Sequence, residues 1–297
     1  MTRIALGEGR EVRTFDPPPR GFDPLEASPA ELERHGFPAL PTNPHHLQRY
    51  RRLMRDLKGR FHYVPPTFRE RRFRAGVETS NTWSGGTVFA PPGGSFQWIQ
   101  GDWAVPYVAA INQNEWEYMS SWIGIDNANP CQVGIMCEVF QSGNNVTTPP
   151  PYLWYEWVPE MGQEVTSVSI RPGDSITVLL CTQQGAGSTS ATCFFANRTT
   201  GAATSFVFFA PNNQVPLVGN SAEWIVERPT LNSQNGPLAP LAFYGGVLFS
   251  NCEAVLTDGT IVDSGTGDTL IMKDNASGEV LADATLLSQT YILCLRA

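Results

Sequence analysis

From residue 79 to the C-terminus the sequence is a succession of short apolar or alternating runs, broken every few residues by Gly, Pro, Asn and Ser. Residues 87–89, 96–100, 103–108, 121–125, 134–140, 152–158, 167–170 and 175–181 are such runs. So are 191–197, 205–210, 222–227, 244–249, 269–273 and 289–295. Val, Ile, Thr, Phe, Tyr and Trp dominate them, side chains that suit a pleated surface. No ten-residue stripe with helical spacing intervenes. Many short strands at this spacing predict an all-β domain, a two-sheet antiparallel sandwich, in place of alternating α/β units.

The first 78 residues read differently. Prolines keep residues 16–24 extended and irregular. Ser28, Pro29 and Glu31 form a capping box with proline at the first helical position, so a short helix begins there. A second helix is expected over 45–58, where Leu47, Tyr50, Leu53, Met54 and Leu57 recur at three- and four-residue intervals. The predicted organisation is therefore an N-terminal extension, 1–78, acting as a pro-segment or a docked appendage, and a β domain, 79–297.

Charge follows the same division. Residues 1–76 carry 15 Lys+Arg against 9 Asp+Glu, a net of +6; the remainder carries 5 against 19, a net of −14, making the chain's −8. A basic front and an acidic body attract each other at neutral pH. The acidic body argues against nucleic acid as a partner. No apolar stretch is long enough for a membrane span, and the N-terminus lacks the apolar segment of a signal peptide. A monomer acting on peptide or protein, with no membrane partner, is the expectation; on the sequence alone the localisation is open, cytoplasmic at face value.

The residue inventory excludes several chemistries. All four histidines, His35, His45, His46 and His62, lie in the extension, so the β domain has none for a Ser-His-Asp or Cys-His mechanism or a histidine-ligated metal. Neither a GxSxG turn nor a phosphate-cradling glycine loop occurs. The six cysteines form no CxxC pair; Cys181 and Cys193 flank a Gly/Ser turn and are placed to face each other across a hairpin, or else remain free buried thiols. No cofactor and no metal are expected. Carboxylates remain, and several sit beside tryptophans: Asp126 near Trp122, Glu156 between Trp154 and Trp157, Glu223 beside Trp224. Such pairs suit a cleft for peptide or sugar, and equally an ordinary sandwich core.

Several of these segments resemble, in order, motifs of the glutamic peptidases of the eqolisin family. Asn81-Thr-Trp83-Ser-Gly-Gly86 is similar to the family's Asn-Trp-Gly-Gly, Trp122-Ile-Gly-Ile-Asp126 to its Trp-Val-Gly-Ile-Asp, and Trp154-Tyr155-Glu156-Trp157 to its Trp-Tyr-Glu-Trp. Ala222-Glu223-Trp224-Ile225 looks like the strand carrying the catalytic glutamate, and Phe249-Ser-Asn-Cys252 like a later element. The resemblance implies a curved β-sandwich with a substrate cleft, and hydrolysis of peptide bonds at acid pH by a Glu/Gln pair. It puts Glu223 in the place of the glutamate and Trp83, Trp122, Asp126, Trp154, Tyr155, Glu156 and Trp224 around the substrate. It also implies secretion, as is usual in the family.

The glutamine is the departure. With Cys131-Gln132 matched to the family's Cys-Gln, the catalytic amide position falls on Cys137. A thiol is a weak donor, and loss of one oxyanion donor costs about 10²–10³ in rate. Three outcomes follow: a feeble peptidase or a noncatalytic binder of peptide or carbohydrate, an amide supplied by Gln132 or Gln141, or a nucleophilic Cys137, disfavoured for want of a base. Alternation sets Gln132 and Cys137 on opposite faces of one strand. The peptidase reading thus expects Glu223 and Cys137 to meet on one face.

Overall fold

The computed structural model describes residues 1–7, 10–57, 61–70, 73–74, 81–127, 130–211, 215–231 and 236–297. The expected boundary at 78/79 and the middle of the loop before Cys131 lie outside them. In the extension the elements are β1 (Thr2–Gly7), β2 (Arg10–Thr14), α1 (Pro29–Arg34), α2 (Pro44–Leu57), β3 (His62–Tyr63), β4 (Phe68–Glu70) and β5 (Phe73–Arg74). There follow β6 (Trp83–Phe89), β7 (Phe96–Ala104), β8 (Trp116–Ile125), β9 (Cys131–Ser142), β10 (Asn145–Thr147), β11 (Tyr152–Trp157) and β12 (Gln163–Val165). Next come β13 (Ser175–Thr182), β14 (Ser190–Asn197), β15 (Ala202–Phe209), β16 (Ser221–Glu227), β17 (Thr230–Leu231) and β18 (Gly246–Leu256). The chain ends with β19 (Ile261–Asp263), β20 (Asp268–Leu270), β21 (Met272–Lys273), β22 (Val280–Ser288) and β23 (Tyr291–Arg296).

Two sheets pack face to face. The first runs β1-β2-β15-β14-β13-β7-β18-β23-β22-β21, with β19 beside β18 and β3 parallel to β15; the second runs β20-β6-β16-β8-β9-β11-β12-β4, with β10 beside β9. Alternating side chains of both sheets fill the space between them. Ile123, Val133, Ile135, Trp224 and Val226 of the second sheet meet Ile99, Val178, Leu180, Phe206 and Phe249 of the first in one buried cluster. The expected all-β sandwich is what forms.

The strands depart from expectation in places. Residues 96–100 continue through Gly101 into a single strand, β7. A Cβ on Gly101 would stand 3.1 Å from Ile123 Cγ2 and from Trp224 Cδ1, so the glycine permits close approach of the sheets instead of breaking the strand. Residues 167–170 form no strand, although Val168 and Ile170 are buried. Cys181 pairs with Thr192 and Leu180 with Cys193, an offset of one residue that sends the two thiols to opposite faces. All six cysteines are free.

The extension is built into both sheets. The helix at Ser28 has the capping box read from sequence, with Glu31 N–H donating to Ser28 Oγ and Ser28 N–H to Glu31 Oε2. The hairpin β1–β2, which the sequence reading missed, adds to the first sheet through β15, and β4 adds to the second through β12. Leu32, Phe37, Tyr50, Met54 and Leu57 bury against Leu179, Phe194, Ala196 and Ala203 on the outer face of the first sheet. No helix among the described residues is long and apolar enough to cross a membrane.

Candidate active site

Register decides which side chains share a face. In β16, Ala222, Trp224 and Val226 point between the sheets, so Glu223, Ile225 and Glu227 point outward. Opposite partners in an antiparallel pair lie on one face. Glu223 pairs with Thr87 and Gly124, and Gly124 with Gln132, which pairs with Glu156. One cross-strand row therefore reads Thr87, Glu223, Gly124, Gln132, Glu156. Adjacent strands are about 4.8 Å apart, so two steps set the backbones of Glu223 and Gln132 roughly 10 Å apart, with no side chain on the residue between.

The next row on this face holds Gly85, Ile225, Trp122, Gly134 and Trp154; the one after holds Trp83, Glu227, Ser120, Met136 and Tyr152. Trp83, Trp122, Met136, Tyr152, Trp154 and Ile225 form a separate apolar cluster, with Trp83 and Trp122 edge to face at 5.0 Å between centroids. The glycine of β9 serves this packing: a Cβ at Gly134 would fall 2.4 Å from Trp122 Cβ. Polar groups inside the wall are tied down. Trp122 Nε1 donates to Glu227 Oε2 at 2.6 Å, Trp154 Nε1 to Ser120 Oγ at 3.1 Å, and Gln132 Nε2 to Glu156 Oε2 at 3.4 Å. Glu223, Glu227, Gln132 and Glu156 are all buried. Gln132 Oε1 and Thr87 Oγ1 have no hydrogen-bond partner among the described residues.

The structure thus brings Glu223, Trp83, Trp122, Trp154 and Glu156 together on one face. It does not bring Cys137 there. Cys137 pairs with Met119 and packs between the sheets, on the face opposite Glu223. Burial, with a smaller effect from Glu138, pushes its thiol up to about 12. The alternation argument for Gln132 and Cys137 was sound, but Gln132 is the one that shares the face of Glu223. Gln141 donates to the Gly143 carbonyl in the hairpin turn.

Three more expected cleft residues are structural. Tyr155 faces the inter-sheet core, its ring 4.8 Å from Phe208 and 5.1 Å from Phe206. Trp224 crosses the same core, and its Nε1 donates to the Gln100 carbonyl at 2.7 Å. Asp126 is buried at the end of β8, where its carboxylate accepts the backbone N–H groups of Val218, Gly219 and Asn220. Burial raises its pKa and those three donors oppose the rise. Sequence reading missed Glu227 as a member of the site and held Gln132 only as one alternative source of the amide. Period-two alternation was the available signal for Glu227, four residues from Glu223 on the same strand.

A family model described as the Peptidase A4 family matches residues 81–295. Aspergillopepsin-2 of Aspergillus niger is 27% identical over 241 residues, covering 72% of this chain and 79% of the relative. Scytalidopepsin B of Scytalidium lignicola is 28% identical over 179 residues, covering 58% of this chain and 65% of the relative. Among solved structures, scytalido-glutamic peptidase with a transition state analog inhibitor superposes with a TM-score of 0.61 at 23% identity, covering 73% of this chain and 98% of the other. That likeness is one of fold.

Proposed function

Because the chain belongs to the Peptidase A4 family of glutamic-type endopeptidases, we propose that it hydrolyses peptide bonds on the outward face of the second sheet, with a carboxylate of β16 as the base. The observation that carries this reading is the pair Glu223 and Glu227, two buried carboxylates on one strand that project among Trp83, Trp122 and Trp154. The carboxylate takes a proton from water as the oxygen attacks the scissile carbonyl carbon. It then returns that proton to the amine nitrogen as the C–N bond breaks. The carbonyl oxygen, negatively charged in between, needs a donor aimed at it.

With Glu223 as base, Gln132 supplies that donor. Its amide carries two N–H groups; one is directed at Glu156, and on this reading the second serves the carbonyl oxygen. The amide orientation is the one this hydrogen-bond network favours. A second reading rests on Glu227, whose carboxylate is fixed by the Trp122 indole at 2.6 Å in the middle of the aromatic wall. No glutamine stands in its row, where Ser120 and Met136 take the neighbouring places. On that reading the site lacks an amide donor and is slow.

A quenched peptide assayed from pH 2 to 7 with wild type, Glu223→Gln and Glu227→Gln separates the two. The variant at the base is expected to lose about 10²–10⁴ in kcat, with highest wild-type activity at acid pH. Activity that survives both substitutions would sink the mechanism. Peptide binding without turnover in the wild type would leave a noncatalytic receptor on the same face.

A further inference from the structure

A cavity of about 650 Å³ lies between the outer side of the first sheet and the 36–43 segment that joins α1 to α2. Its floor is one cross-strand row: Arg13 of β2, Val207 of β15, Thr192 of β14, Cys181 of β13 and Trp98 of β7. All five are half-buried, and four strand steps make the row roughly 19 Å long. Pro38 and Pro41 of the joining segment, with Phe15 just past β2, supply the opposite wall. The cavity therefore needs the extension in place. Its volume and its largely apolar lining, with a few polar groups, are those of a ligand site.

The polar groups narrow the class of ligand. Thr192 in the floor, Ser190 two residues along β14, and Gln183 just past the end of β13 have side chains that hydrogen-bond no described residue. An alkyl chain would strip water from them and offer nothing in return. Charge is already matched. Arg13 pairs with Glu11 at 3.2 Å and lies over the Phe209 ring at 4.7 Å, and Glu33 in the lining opposes an anion. A peptide strand finds no ladder partner, because each floor strand is paired on both sides. A neutral ligand with apolar ring faces and a rim of hydroxyls satisfies all of these groups. We propose that the cavity binds a neutral oligosaccharide, with one sugar ring stacked on Trp98 and hydroxyls bonded by Thr192, Ser190 and Gln183. The site lies on the opposite side of the sandwich from Glu223. It is therefore independent of the hydrolysis proposed above, and glycan and peptide can be held at once.

The test is calorimetric titration of the full chain with maltohexaose, cellohexaose, xylohexaose and chitohexaose. At least one is expected to bind. Trp98→Ala should weaken that binding about tenfold or more through the lost ring contact, and Trp98→Phe should weaken it less. Thr192→Val should weaken it by roughly 2- to 10-fold, and Glu223→Gln should leave it unchanged. Thermal melts verify folding of each variant. Thr192→Val keeps the size of the side chain, so it tests the site even where Trp98→Ala does not fold. Decanoate, titrated as an alkyl probe, should not displace the sugar. Binding of none of the four sugars overturns the proposal. So does binding that survives Trp98→Ala and Thr192→Val undiminished, binding lost in Glu223→Gln, or displacement by decanoate.

Discussion

Gly124 stands between Glu223 and Gln132, directly opposite each of them in neighbouring strands. A Cβ there would come within 2.9 Å of Trp122 Cζ3 and 3.2 Å of Gln132 Cβ. The bare backbone is what lets the Trp122 ring and the Gln132 side chain pack against this position. Gly124→Ala is expected to destabilise the fold by roughly 1–3 kcal/mol through overpacking. With Glu223 as base it also lowers kcat, as denaturant melts and peptide hydrolysis will show. A variant that loses stability but not turnover places the chemistry in the Glu227 row.

Cys137 is expected to be inert in the folded chain. Its thiol is raised to about 12 by burial, and the thiolate is the reactive form. Mass spectrometry after native alkylation should find it unlabelled until the chain unfolds. Cys137→Gln puts an amide between the sheets and is expected to cost roughly 1–3 kcal/mol in desolvation, without gain of hydrolysis. A gain would require the register of β9 to differ from the one described.

Asp102 gives the first sheet a pH dependence with a definite sign. Burial raises its pKa, opposed by hydrogen bonds from Thr177 and Asn251 and by the charge of Arg198. Asp56 adds a smaller upward push. A raised folded pKa means that the native chain holds the proton more tightly than the unfolded chain. This contribution to stability is therefore complete below the unfolded pKa and is lost as pH rises through the folded one. The stability of wild type relative to Asp102→Asn should decline over that rise in urea melts at stepped pH; a gap that widens with pH would contradict the assignment.

The extension is expected to be a permanent part of the fold. Arg49 of α2 reaches Glu253, which is buried, at 2.8 Å, and also Asn251 at 3.5 Å. Removing one partner of a buried pair typically costs about 3–5 kcal/mol, and less here because Arg49 is itself partly exposed. Arg49→Ala should lower the midpoint of denaturation, and Arg49→Ala with Glu253→Gln should recover part of it. A chain beginning at residue 79 should aggregate, since it uncovers Leu179 and Phe194 and leaves β15 and β12 as bare edges. Clean release of the first 76 residues by acid, with a soluble remainder, would restore the pro-segment reading.

The sandwich was legible because its cause is local. Period-two runs, turn residues and the capping box at Ser28 act over a few residues, and most of the runs became strands, with 167–170 an exception. The motif order was legible too, and Trp83, Trp122, Trp154, Glu156 and Glu223 do share a face. The hairpin β1–β2 escaped notice because its pairing is completed by β15, some two hundred residues away. What only the tertiary structure decided was parity. Cys131-Gln132 fixed a plausible alignment, yet a side chain's face depends on the register of β9 against β8, and one residue of slip inverts every side chain. That register turned Cys137 inward and Gln132 outward, and the pairing of β11 and β16 set Tyr155 and Trp224 inward and Glu227 outward, a choice made by which set of side chains fits between two sheets.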